Sequence, residues 1–246
     1  MLLLRELFNE PKRKDEGSLL EAKQAIVQFC RKIGNPASSP GKNNGDPKLI
    51  EQERWAMGLI DALEELEQSI YASEKYRHRI KLSAVEHMNE EERVNYRTYL
   101  YFYKNAFIRV FSLLDKLGYF MNEYLGVHTE RVKPRFSYFT VLREMREKKY
   151  EPELSAELDR LKEKYEIALK RLREQRNFEI HSINYELLND SISGRGKFDP
   201  LRRVEDLERN YFDILQALEM ATSSLTTVFS YCARKSVMDQ RRNRRS

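Results

Sequence analysis

Glycine and proline are scarce in this chain, nine and seven residues out of 246. With 34% of residues charged and leucine, glutamate, lysine and arginine abundant, the composition favours helix throughout. No segment alternates apolar and polar residues with period two between hairpin turns, so no sheet is expected. Cysteine is nearly absent. Cys30 and Cys232 stand too far apart for a disulfide framework or a zinc-ligand spacing. They read as small apolar packing residues in a reducing cytosol. None of the four histidines (His78, His87, His128, His181) has another at a ligand-like spacing, so neither metal nor cofactor is expected. No apolar run reaches the length that crosses a bilayer. Leu2-Leu3-Leu4 is interrupted at once by Arg5 and Glu6, which does not make a secretory apolar segment. The expected location is the cytoplasm.

The net charge is +5 and unevenly placed. Arg234, Lys235, Arg241, Arg242, Arg244 and Arg245, against Asp239, account for all of it, leaving the rest of the chain near neutral. Such a tail suits phosphate contacts that weaken with salt, or else a solvated terminus.

What is present is helical periodicity. Residues 17–32 place Leu19, Leu20, Ile26, Val27 and Cys30 at helical spacing. Residues 35–46 collect Pro, Gly, Ser and Asn and predict a loop, with Asp46 as cap for a helix opening at Pro47. That second helix carries Leu59, Leu63, Leu66 and Ile70. A third opens at Asn89, with Glu92 completing a capping-box pattern. Its apolar row runs Leu100, Tyr103, Phe107, Val110, Leu114, Leu117, Met121 and Tyr124, flanked by Phe102, Leu113 and Phe120. So broad an apolar face predicts a central helix. Gly126 ends it, and a short amphipathic piece follows around residues 136–146. A fourth helix starts near Pro152 with Leu158, Leu161, Tyr165, Ala168 and Leu172 buried. A polar loop over 189–200 precedes a fifth, with Val204, Leu207, Tyr211, Ile214, Leu218, Ala221, Leu225 and Val228. There is no internal repeat. The expected fold is all-α, an antiparallel bundle of four long helices with a smaller N-terminal helix. The expected division is an N-terminal helix and loop over 1–46, the bundle over 47–236, and a disordered basic tail over 237–246.

In the fourth helix the apolar stripe, continued at the same spacing, lands on Gln175, Glu179 and Ser182. Buried polar groups are costly unless paired, so this helix end is expected to be exposed or to face a wet cleft. The switch coincides with Arg176-Asn177-Phe178-Glu179-Ile180-His181. Asn177 and His181 are four apart and share a helix face, and Arg173 extends the row. Arg176 lies about 140° around from His181 on an ideal helix. A permanently charged fork beside a group titrating near neutrality can cleave RNA without a metal. A ribose 2′-hydroxyl attacks the adjacent phosphorus. His181 takes the hydroxyl proton or protonates the leaving 5′-oxygen, Arg176 stabilises the phosphoryl oxygens, and Asn177 orients the imidazole or a phosphate oxygen. Two copies across a dimer axis make a more complete site than one. A histidine at a helix end is otherwise a capping or interface residue.

Arg176, Asn177 and His181, at the end of a long helix followed by a loop and one more long helix, resemble the hallmark of the HEPN superfamily. That hallmark is arginine, four to six residues, then histidine, commonly with a polar residue directly after the arginine. Leu113-Leu114-Asp115-Lys116-Leu117-Gly118-Tyr119-Phe120 looks like the preceding core helix of a group of bacterial HEPN proteins. The resemblance covers residues 50–236. It implies an all-α bundle and a metal-independent endoribonuclease acting as a homodimer on RNA, in a toxin–antitoxin or antiviral role with an antitoxin partner. Some members of that superfamily serve instead as scaffolds. Toxins controlled by a nucleotidyltransferase antitoxin carry a tyrosine two positions after the histidine. Here Ile183 stands there and the nearest tyrosine is Tyr185, a departure from that mode of control. The competing reading is a non-catalytic helical scaffold that binds RNA, a nucleotide or a partner protein through the same cleft. A membrane-surface role is disfavoured, because no amphipathic helix has an exclusively basic polar face.

Overall fold

The computed structural model describes residues 4–34, 47–181 and 204–243, with the side chains at 181 and 239–243 outside that description. The expected loops at 35–46 and 189–200, the Asp46 cap and Ser182 lie outside the described residues. The described residues form eight α-helices: α1 Leu4–Leu7, α2 Gly17–Lys32, α3 Pro47–Arg77, α4 Glu90–Leu125, α5 Tyr138–Glu147, α6 Pro152–Lys164, α7 Glu166–His181 and α8 Leu207–Asn243. Short 3-10 turns occur at Val85–His87 and Thr129–Arg131. The fold is all-α.

Several helix ends follow from their residues. Asn89 Oδ1 accepts from the amide of Glu92 at 2.8 Å, which is the expected N-cap of α4. The reciprocal half of the expected capping box is replaced, because Glu92 Oε1 accepts from the amides of Lys81 and Leu82 at 2.6 and 2.8 Å. Its carboxyl is held below the usual range by those two backbone donors. Gly126 ends α4 at φ +75°, where its amide and that of Val127 donate to the Asn122 carbonyl at 3.0 and 3.1 Å. The amphipathic piece is α5, and Ser137 and Thr140 form a capping box at its start.

Two expectations need correction. The helix expected from Pro152 onward is two helices, interrupted at Tyr165. No proline or glycine stands there, and Leu169 N still donates to Tyr165 O at 3.1 Å, so the local sequence gave no warning. The four-residue α1 is also additional; it is too short to show a period.

The chain divides into two compact units. The first takes residues 1–12, 65–110 and 165–218. Its core joins Leu66, Ile70, Tyr99, Tyr103, Phe107, Leu172 and Ile214. Tyr99 and Tyr103 stack with ring centroids 5.7 Å apart. In it α1 is tied to α3 by the Arg5–Glu67 ion pair, and Phe8, just after α1, meets Tyr71 and Tyr76 edge-on. The second takes residues 13–64, 111–164 and 219–246. Here Phe29, Phe120 and Phe229 meet pairwise at 4.7–5.5 Å between centroids, among Leu59, Leu63, Leu117, Leu158 and Leu225. Tyr138, at the start of α5, lies directly on Gly118. A Cβ at Gly118 would stand 2.7 Å from Tyr138 Cα, so only glycine admits this approach.

Candidate functional site

The Arg176–His181 segment lies in the last described turns of α7, and α7 is fixed within the first unit by polar clamps. Arg171 Nε donates to Asp213 Oδ2 at 2.6 Å while Nη2 donates to Oδ1, a two-pronged pair on a fully buried carboxylate. One turn on, Tyr103 Oη donates to Gln175 Oε1 at 2.6 Å. Gln175 Nε2 donates to Asn210 Oδ1 at 3.3 Å, and Asn210 Nδ2 to Glu205 Oε2 at 2.8 Å. A further turn on, Glu179 pairs with Lys104 at 3.2 Å. Positions 171, 175 and 179 form one row, each four from the last.

The polar continuation of the apolar stripe is thereby explained. Gln175 is buried and Glu179 half-buried; α4 partners both, and Asn210 of α8 takes the Gln175 amide, so neither is left to a wet cleft. Residues 175 and 179 were legible as polar intrusions, but their partners Tyr103, Lys104 and Asn210 were not. A pairing across 72 positions leaves no local signal. Tyr99, also buried in this unit, is pushed well above its usual range by burial and then by the nearby Glu205 carboxylate. It stays neutral.

Arg176 and Asn177 lie off this row of α7. Arg176 is half-buried and Asn177 exposed. The structure brings these two together: Arg176 Nε and Nη2 donate to Asn177 Oδ1 at 3.3 and 2.9 Å. His181 is the last described residue of α7, one helical turn beyond Asn177, and its side chain lies outside the described residues. Ile183 and Tyr185 lie outside them too.

Other reactive chemistry is sparse. Burial pushes the Cys30 thiol up to about 11 and the Cys232 thiol higher still, so neither is a thiolate near neutral pH. Among the described residues no three His, Cys, Asp or Glu converge as metal ligands would. No described helix is long and apolar enough to cross a membrane.

The described residues are helical without a strand, and an arginine–asparagine pair stands on α7 one turn before His181. The model of the HEPN_Cthe2314-like HEPN family matches residues 55–233. The chain belongs to that family. No curated protein and no solved structure matches it.

Proposed function

We propose that the protein is a metal-independent endoribonuclease of HEPN type, acting as a homodimer in the cytoplasm through its helical region 47–236. The observation that carries the reading is the Arg176–Asn177 pair, on α7 one turn before His181, while the row through Arg171, Gln175 and Glu179 is tied down. In this reading a ribose 2′-oxygen attacks the adjacent phosphorus as His181 takes its proton. The bond from phosphorus to the 5′-oxygen then breaks, leaving a 2′,3′-cyclic phosphate and a free 5′-hydroxyl. The second histidine of the dimer protonates the leaving oxygen. Arg176, aimed by Asn177, takes up the charge that builds on the phosphoryl oxygens. No cofactor is required. A toxin or antiviral role with a neutralising protein partner extends the same proposal.

Labelled RNA incubated with purified protein in chelator, beside His181→Ala, tests it. Cleavage by the parent and none by the variant is the expected result. Equal cleavage by both removes His181 from the chemistry. The second reading, a scaffold that binds without turnover, is favoured by the engagement of the Arg176 guanidinium with Asn177 in this state. It predicts RNA binding that is lost in Arg176→Ala and no cleavage by any form.

A further inference from the structure

The second unit carries a groove that the proposed chemistry does not use. It has a volume of about 410 Å³ and is lined by Arg54, Trp55, Gly58 and Leu59 of α3 and by Lys116 and Tyr119 of α4. That volume lies in the range of about 300–1,000 Å³ typical of ligand sites. Its aromatic walls are open: Trp55 is 39% exposed and Tyr119 40%. Gly58 leaves the floor clear, since a Cβ built there meets nothing within 4 Å. Arg54 and Lys116 are exposed, and neither makes an ion pair with the described residues.

The same surface continues on both sides. Tyr119 packs against Phe136 with ring centroids 4.4 Å apart, and Phe136 follows the exposed Lys133 and Arg135. On the other side Trp55 also lines a second hollow of about 340 Å³, together with Glu51, Gln52 and Glu123. Trp55 thus borders both hollows.

We propose that this surface binds single-stranded RNA, stacking successive bases on the two sides of Trp55. Aromatic faces interleaved with cations suit a flexible strand, because every base has a π-face and every step carries a phosphate. Arg54 and Lys116 line the first hollow, and the exposed Lys133 and Arg135 precede Phe136 in the chain, so cations are available to the phosphates of a bound strand. Glu51 and Glu123 would repel phosphate, and they accept hydrogen bonds from base amino groups in the second hollow. Two hollows sharing one ring fit consecutive nucleotides better than one free nucleotide. A duplex, whose bases are already stacked, has no face to offer.

Trp55 is the chain's one tryptophan, so its fluorescence reports the groove directly. The protein used is the full chain with His181→Ala, in chelator, so that binding is read whether or not the parent cleaves. Titration with single-stranded oligoadenylate should quench the emission saturably and more weakly as salt rises. Tyr119→Ala should weaken binding at least about fivefold, the lower end of what loss of one stacking face does. Gly58→Leu fills the groove from a helical position with open space and should weaken it comparably, with the circular dichroism spectrum unchanged. Lys116→Ala should lower the salt dependence.

Saturable quenching that both groove variants diminish supports the site. Absence of quenching overturns it, as does quenching untouched by Gly58→Leu. Equal quenching by adenosine monophosphate, or by a duplex of the same length, overturns the assignment to a strand. Cleavage is scored separately in the His181 comparison, so either proposal can fail alone.

Discussion

Two glycines in helix interiors provide a controlled comparison of space. Gly118 of α4 and Gly58 of α3 both lie in the second unit, and alanine is the better helix former at each by about 0.8–1.0 kcal/mol. Their surroundings differ. A Cβ at Gly58 meets nothing within 4 Å, whereas one at Gly118 stands 2.7 Å from Tyr138 Cα and 3.0 Å from Tyr138 N. Carbon atoms in contact prefer about 3.5–4.0 Å. The start of α5 must therefore retreat by about an ångström, the difference between those separations. Tyr138 resists this at both ends: its amide donates to Asp115 Oδ1 at 3.0 Å, and its Oη donates to Ser224 Oγ at 3.2 Å. Overpacking against such a framework costs about 1–3 kcal/mol. Gly58→Ala should thus gain up to about 1 kcal/mol from helix propensity. Gly118→Ala should lose a net 1–2 kcal/mol or so once the same gain is subtracted from an overpacking cost near the upper end. Urea unfolding followed by circular dichroism reads both, as shifts in midpoint at constant slope. If Gly118→Ala shifts the midpoint upward as far as Gly58→Ala does, the close approach of Tyr138 is refuted.

Three further outcomes follow from the packing. Arg171→Ala leaves the buried Asp213 carboxylate without its forked partner and should destabilise the fold by about 2–4 kcal/mol; Arg171 keeps 38% of its side chain exposed, which holds the loss below that of a fully enclosed pair. Replacing both residues by apolar ones should recover part of that loss in the same urea assay. Burial alone would raise the Glu151 carboxyl, but hydrogen bonds from Lys235 and Tyr231 outweigh it and hold the pKa below the ordinary value of 4.5. Its stabilisation is present above that value and fades as pH falls through the lowered one, so Glu151→Gln should flatten the acid limb of a stability–pH curve. A limb as steep as the parent's would show that this carboxylate is not involved. Cys30 and Cys232 should both resist a thiol reagent at pH 8 until the chain is unfolded, given thiols raised by burial; rapid labelling of the native protein would contradict their enclosure.

The all-α fold was legible because it is written in local spacing. Leu59, Leu63, Leu66 and Ile70 on α3, and the row from Leu100 to Met121 on α4, are buried as their periods required. Caps and stops were equally local: Asn89 and Gly126 act within four residues of themselves. The break at Tyr165 was not legible, for the residues around it keep the helical period through the interruption. In the candidate site, the Arg176–Asn177–His181 spacing marked the segment, and the polar entries at Gln175 and Glu179 marked a change of environment. The nature of that change was hidden. Whether a buried glutamine faces water or a tyrosine depends on a residue from another helix, and Tyr103 reads in sequence as one more apolar position.

The clamps on α7 bear on how loss-of-function maps of this protein are interpreted. Tyr103, Asp213 and Asn210 secure the helix that carries the Arg176 pair, yet none of them is part of that pair. Under the proposed function, a screen scored only by RNA cleavage would rank them beside Arg176 and His181. Thermal stability measured on the same variants separates the two kinds of defect, because a loosened helix melts early and a missing acid or base does not.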